Sequence, residues 1–151
     1  MTTYLPDGYE ISADSARIDA ARVHHWLSTD AYWAMHRPRE KQDKAMEGSL
    51  NFGVYDVGSG EQVGYARVVT DHATFGWLCD VYVDRKVRGK GLGKALAAAV
   101  RDHMGPMGVR RILLATKDAH AVYAEVGFEP LPGPDQWMVF YFDQSLRPRP
   151  R

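Results

Sequence analysis

The stretch from Asp80 to Leu96, DVYVDRKVRGKGLGKAL, constrains the chain more than any other because it demands three backbone states in succession. The apolar run ending at Val83 reads as the end of a strand, and glycines at 89, 91 and 93 call for a loop. Leu92, Leu96, Val100 and Met104 then recur every four residues, which puts one apolar stripe on a helix. A loop between a strand end and a helix start offers free backbone N–H groups at the positive end of the helix dipole, the easiest place to hold an anion. The glycines let the backbone curl without Cβ clashes, and Arg88, Lys90 and Lys94 add positive charge.

Two familiar phosphate loops do not fit. A Walker A loop has four residues between its first glycine and the Gly-Lys pair, then Ser or Thr, whereas only three residues separate Gly89 from Gly93 and Lys94 precedes Ala95. The dinucleotide fingerprint has two residues before its last glycine and opens the first βαβ unit, while this loop follows several strand-like segments. An anion nest and a ligand-free structural turn remain as readings of the loop itself.

The rest of the chain predicts a mixed α/β fold. Tyr9 to Ser12 reads as a short strand, Ser15 to Thr29 as an amphipathic helix, and a second helix runs from about Pro38 to before Gly48. Leu50, Phe52 and Val54 alternate with Asn51, Gly53 and Tyr55 as in a strand, and Val57 to Gln62 reads as a turn. Val63 to Val69 and Thr74 to Val83 are two further strands, followed by the helix to Met104. Arg111 to Thr116 is a strand, Ala119 to Val126 a short helix, and Trp137 to Phe142 a last strand. The 151 residues fit one domain, with residues 1–8 and 146–151 expected to be poorly ordered.

Nineteen basic residues balance nineteen acidic ones, so no global field favours nucleic acid or an anionic membrane, and neither is expected as a partner. Cys79 has no second cysteine to pair with, the start lacks a signal-peptide pattern, and no apolar run approaches the ~20 residues of a spanning helix, which leads to the expectation of a cytoplasmic protein. The six histidines form no spaced metal motif, so no metal is expected.

Arg88 to Gly93 resembles the Arg/Gln-x-x-Gly-x-Gly/Ala loop of the GNAT superfamily of N-acetyltransferases and follows a Val-Tyr-Val strand end, as in that family's fourth strand. Thirty residues on, Ala119 to Phe128 is similar to the family's A-x-x-L/V-Y-x-x-x-G-F segment. The resemblance spans about Tyr9 to Phe142. It implies a GNAT-like sheet of six to seven strands with an antiparallel N-terminal half, a splay between strands four and five, and helices on both faces. It also implies acetyl-coenzyme A as cosubstrate, its pyrophosphate held by Arg88, Gly89, Lys90, Gly91, Leu92, Gly93 and Lys94, and its pantetheine arm paired with Val81, Tyr82 and Val83. The chain departs from the family in having Arg85 where proline is common.

By the same resemblance Tyr123 is the general acid, and a phenol held close to a departing thiolate suits that role. Asp80 matches the second member of an acidic pair whose first position is Cys79 here. It is either bonded to backbone or arginine, or faces the cleft as a base. Tyr32 and Trp33 could enclose an acceptor, and Arg37 or Arg39 could bind its carboxylate; capping and packing is the other reading of that segment. The expected reaction is acetyl transfer to a primary amine of a small molecule in a ternary complex. A protein or peptide amine is the alternative acceptor, and a non-catalytic acyl-coenzyme A sensor is the alternative function. Apolar residues on both faces of Trp137 to Phe142 suggest a homodimer interface.

Overall fold

The computed structural model describes residues 2–149. Strands β1 (Thr2–Tyr4), β2 (Tyr9–Ser12), β3 (Ser49–Asp56), β4 (Gln62–Thr70), β5 (Gly76–Val83) and β6 (Ile112–Leu113) form one sheet in sequence order. Every neighbouring pair is antiparallel except β5 and β6, which are parallel. Helices α1 (Ala20–Asp30) and α2 (Arg39–Glu47) connect β2 to β3; α3 (Leu92–Met104) crosses from β5 to β6, and α4 (His120–Ala124) follows. The strand that the resemblance matches to the family's fourth is β5, since Thr2–Tyr4 forms a strand ahead of those expected.

Thr2–Tyr4 lies within the stretch 1–8 expected to be poorly ordered, and residue 1 and residues 150–151 of the two expected loose ends lie outside the described residues. Gly8 adopts a left-handed φ of +81°, and the Leu5 N–H donates to the Tyr9 carbonyl at 2.8 Å, closing a hairpin that pairs Thr3 with Ile11. The first helix also begins later than its periodicity predicts. Asp14 accepts from the Ala16 N–H and holds Ser15–Arg17 in a 3-10 turn, and Asp19 caps α1 by accepting from the Arg22 N–H at 3.1 Å. The last predicted strand does not form: Trp137–Phe142 is irregular and largely exposed, so the sheet has six strands among the described residues. No helix among those residues is long and apolar enough to cross a membrane.

Two apolar layers sandwich the sheet. Leu92, Leu96, Val100 and Met104 of α3 pack on Ile11, Phe52, Val54, Val68 and Leu78, whereas Val23, Trp26 and Leu27 of α1 pack on Tyr65 and Tyr82. Leu78 and Tyr82 are four apart on one strand, and simple alternation would put them on the same face. A bulge separates them. Arg67 is opposite Cys79 and Tyr65 is opposite Tyr82, so Asp80 and Val81 together face Ala66, and Asp80 takes a φ of +52°. From there on Tyr82 points to α1, while Val81 and Val83 join the α3 layer.

An L-residue in the left-handed region needs compensation, and Asp80 receives it. Its carboxylate accepts from Trp33 Nε1 at 2.8 Å, Arg37 Nη1 at 2.9 Å and Arg67 Nε at 2.9 Å. Arg37 also donates to Gln42 Oε1 on α2, and Arg67 to Ser49 Oγ on β3. One carboxylate, 1 % exposed, therefore ties β5 to β3, β4 and the α1–α2 connection.

Asp80→Asn keeps the left-handed preference but leaves two half-buried arginines without their counter-charge, and is expected to destabilise the fold by about 3–5 kcal/mol in denaturant titration. Burial opposes ionisation of Asp80, but bonds to Arg37 and the charge of Arg67 prevail and hold its carboxyl below the usual carboxylate range. Because the folded-state value is depressed, this contribution is present above the unfolded value of about 3.9 and is lost as pH falls below it. The acid loss of stability below about pH 4 should therefore be shallower in Asp80→Asn than in the parent chain.

Candidate active site

Strand β6 meets β5 only at Gly76 and Trp77, so among the described residues no strand pairs with Leu78–Val83 on that edge and the sheet parts there. A cleft of about 350 Å³ opens at the parting. Tyr32 and Trp33, just after α1, form one wall; Val81, Tyr82 and Val83 form another; Arg88 and Gly93 lie at the loop end, and Val122 and Tyr123 of α4 face them.

The glycine loop leading into α3 has the geometry of an anion nest. Gly89 and Gly91 have φ of +83° and +77°, and a Cβ at either would meet nothing within 4 Å, so backbone conformation rather than crowding is what calls for glycine. Gly91 is the N-cap of α3 and supplies no side-chain cap, which leaves the first N–H groups of a 13-residue helix free for a ligand. Leu92 is 4 % exposed, so its side chain belongs to the core and it can offer a ligand only its backbone. The basic side chains of the loop are already engaged: Lys90 Nζ donates to Tyr9 Oη at 3.2 Å, Lys94 pairs with Glu125 at 3.0 Å, and Arg88 Nε donates to the Val83 carbonyl at 2.8 Å.

Tyr123 owes its place to the residues around it. The Thr116 hydroxyl accepts from the Ala119 N–H at the start of α4. At the other end Gly127, with φ of +103°, turns the chain so that the Tyr123 carbonyl accepts from both Val126 and Phe128. Phe128 then packs edge-on against the Tyr123 ring at 5.8 Å, which is the physical content of the Tyr-x-x-x-Gly-Phe spacing. Burial, with a smaller effect from Tyr32, raises the Tyr123 phenol above its ordinary value, so it keeps its proton at neutral pH.

Asp80 and Arg37 bond to each other beneath the site and neither lines the cleft, although Trp33 touches both the cleft and the Asp80 carboxylate. Arg39 is a correction: on the first turn of α2 it points to solvent and pairs with Asp43 at 2.9 Å, outside the cleft. Burial pushes the Cys79 thiol up to about 11, which keeps it protonated and inert as a nucleophile.

Sequence reasoning missed Asp30, Arg85, Asp118 and Val122, all of which line the cleft. Asp30 accepts from Tyr82 Oη at 2.6 Å and from both Arg85 and Arg88, and these partners hold its carboxyl far below the usual range. The available signal was an acid in the last turn of a helix, where the dipole disfavours negative charge unless cations approach from elsewhere.

The acetyltransferase (GNAT) family model matches residues 19–128. The chain belongs to the GNAT family of acetyltransferases. A GNAT-family protein from Xanthomonas campestris pv. campestris is 40 % identical with a TM-score of 0.83, covering 91 % of this chain and 95 % of that one. The Gibberella zeae protein named "Putative acetyltransferase FG08082" is 30 % identical over 128 residues, 73 % of this chain and 72 % of the relative. N-acetylglutamate synthase from Neisseria gonorrhoeae, solved with coenzyme A and N-acetyl-glutamate, shares the fold at 20 % identity and a TM-score of 0.65, covering 83 % of this chain and 29 % of that one. The GNAT fold is thus shared well beyond close sequence similarity.

A direct check on the environment of Tyr123 is its titration. By ¹³Cζ NMR the Tyr123 phenol of this GNAT protein should titrate above the ordinary tyrosine value of about 10, and a midpoint at or below 10 would contradict the buried placement.

Proposed function

We propose that this protein transfers the acetyl group of acetyl-coenzyme A to a primary amine of a small molecule. The observation that carries this reading is the coincidence, in one place, of a strand edge left open by β6, an uncapped glycine-bordered helix N-terminus, and a half-buried protonated tyrosine across the gap. The open edge at Val81–Val83 can pair with an extended amide-bearing arm, and the N–H groups of Leu92, Gly93 and Lys94 can take a pyrophosphate. The residues present therefore suit coenzyme A. Tyr32 and Trp33, on the opposite wall of the cleft, can enclose a small acceptor.

In the proposed reaction the neutral amine nitrogen attacks the thioester carbonyl carbon, a C–N bond forms and the C–S bond breaks. Tyr123 gives its hydroxyl proton to the departing sulfur, and the proton lost by the nitrogen restores the phenol, directly or through water. A backbone N–H near Val81, at the bulge, would polarise the carbonyl oxygen. Asp80 acts as a positioning residue and not as the base: its carboxylate is committed to Trp33, Arg37 and Arg67, and it orients the bulge and the Trp33 wall. The amine loses its first proton to solvent at the cleft mouth.

A thiol-release screen of amino acids, polyamines, aminoglycosides and peptide N-termini tests the function. Turnover with at least one small amine is expected; coenzyme A binding with no thiol release across the panel would instead support a sensor. Tyr123→Phe should lower kcat by about 10²–10⁴-fold with little change in KM for acetyl-coenzyme A. Gly91→Ala should raise that KM by roughly ten-fold, since an L-residue in the left-handed region costs about 1–2 kcal/mol. Asp80→Asn should lower activity while leaving the midpoint of the acidic limb of the pH–rate profile in place; a shift of that midpoint would make Asp80 the base.

A further inference from the structure

The charges that line the cleft are unevenly placed. Asp30, Arg85 and Arg88 form one cluster toward the glycine loop: the Asp30 carboxylate accepts from Arg85 Nε at 2.8 Å and from Arg88 Nη2 at 3.4 Å. Two arginines on one carboxylate leave a surplus positive charge there, which suits the phosphates of a cosubstrate. Arg85 and Arg88 are the only basic side chains that line the cleft among the described residues. The two arginines expected to bind an acceptor's carboxylate are engaged elsewhere, Arg37 with Asp80 and Arg39 with Asp43.

The wall at Tyr32 and Trp33 has the opposite character. The Trp33 indole donates to Asp80, which fixes its ring, and Tyr32 packs edge-on against Trp33 with centroids 5.0 Å apart and planes at 88°. This aromatic corner already holds a cation: Lys117 Nζ lies 5.0 Å from the Tyr32 ring centroid. Lys117 is an exposed residue of the connection between β6 and α4, and Asp118, next to it in the chain, brings a carboxylate to the cleft. Tyr32 itself is 56 % exposed, so its ring is open to a ligand as well as to Lys117.

We propose that the acceptor is a small amine carrying a second positive charge, and that this second ammonium takes the place of Lys117 on the Tyr32 ring, with Asp118 as its counter-charge. The inference rests on the proposed acetyl transfer and specifies its acceptor. Lys117 is suited to give way, because its ammonium sits on a flexible four-carbon stem and returns to water when released. A diamine gains both the aromatic corner and Asp118, whereas a monoamine of the same length gains neither. An amino acid would have to draw Lys117 off the ring and set its carboxylate against the negative ring face beside Asp118, an arrangement that selects against it.

Only one of the two nitrogens reacts. The amine nearer the thioester loses a proton to solvent and attacks the carbonyl carbon; the C–N bond forms, the C–S bond breaks, and Tyr123 protonates the departing sulfur. The distal ammonium keeps its charge throughout, and with it its hold on Tyr32. The product therefore carries one positive charge fewer than the acceptor.

The test uses the full chain. Thiol release from acetyl-coenzyme A is measured with the diamines putrescine and cadaverine, the monoamines butylamine and pentylamine, and γ-aminobutyrate, which differ in the charge at the far end. For the better diamine kcat/KM should exceed that of the monoamines and of γ-aminobutyrate by about ten-fold. Tyr32→Leu, at an exposed position, should keep the circular dichroism spectrum and erase most of that preference. Lys117→Gln should lower the KM for the diamine several-fold, because it removes the competing ammonium. Equal or better turnover of a monoamine or of γ-aminobutyrate would overturn the proposal and leave acetyl transfer standing. So would a raised KM for the diamine in Lys117→Gln, which would make Lys117 a support for Tyr32 rather than an occupant of the acceptor's place. A second measurement needs no turnover: in NMR titrations with the same diamines the Tyr32 ring signals should shift, saturating at lower concentration in Lys117→Gln. That shift without thiol release from any amine would count against the proposed function alone, whereas absence of the shift would overturn the proposal.

Discussion

The Asp80 carboxylate, shared among Trp33, Arg37 and Arg67, is the interaction on which the rest of the architecture turns. It sits in a bulge that reverses the facing of β5, and that reversal sends Tyr82 to α1 while Val81 and Val83 stay with α3. Without it the strand would present a different set of side chains to the cleft. A buried ion cluster is seldom a cheap source of stability. Here it secures the left-handed backbone at Asp80, and it joins Trp33 on the cleft wall to the sheet.

The site then follows from two failures of pairing. β6 leaves most of one edge of β5 without a paired strand among the described residues, and α3 begins without a side-chain cap. In a protein interior such groups would be costly; at a surface cleft they are donors and acceptors available to a ligand. The proposed acetyl transfer uses both, with Tyr123 held opposite by the Gly127 turn and the Phe128 ring.

Much of the fold was legible in local pattern. The four-residue stripe gives α3 from Leu92 to Met104, the alternation after Leu50 gives β3, and Pro38 and Gly48 bracket α2. Local capping was less legible: Asp14 and Asp19 divide what looks like one helix into a 3-10 turn and α1. Arg39 looked like a site residue because it is basic and close to Trp33, but its position on α2 turns it toward Asp43. Asp30 escaped notice because its significance depends on Arg85 and Arg88, more than fifty residues away.

The amino-acid sequence by itself determined the strand, glycine loop and helix around Gly89–Gly93, because left-handed φ values and an apolar stripe are demands of single residues and near neighbours. It determined the Tyr123–Phe128 turn for the same reason. Only the tertiary structure decided that Asp80 meets Arg37 and Arg67, that β6 is two residues long, and that Trp137–Phe142 remains unpaired. A strand or a buried charge is completed by a partner distant in sequence, and no local pattern states which partner is within reach.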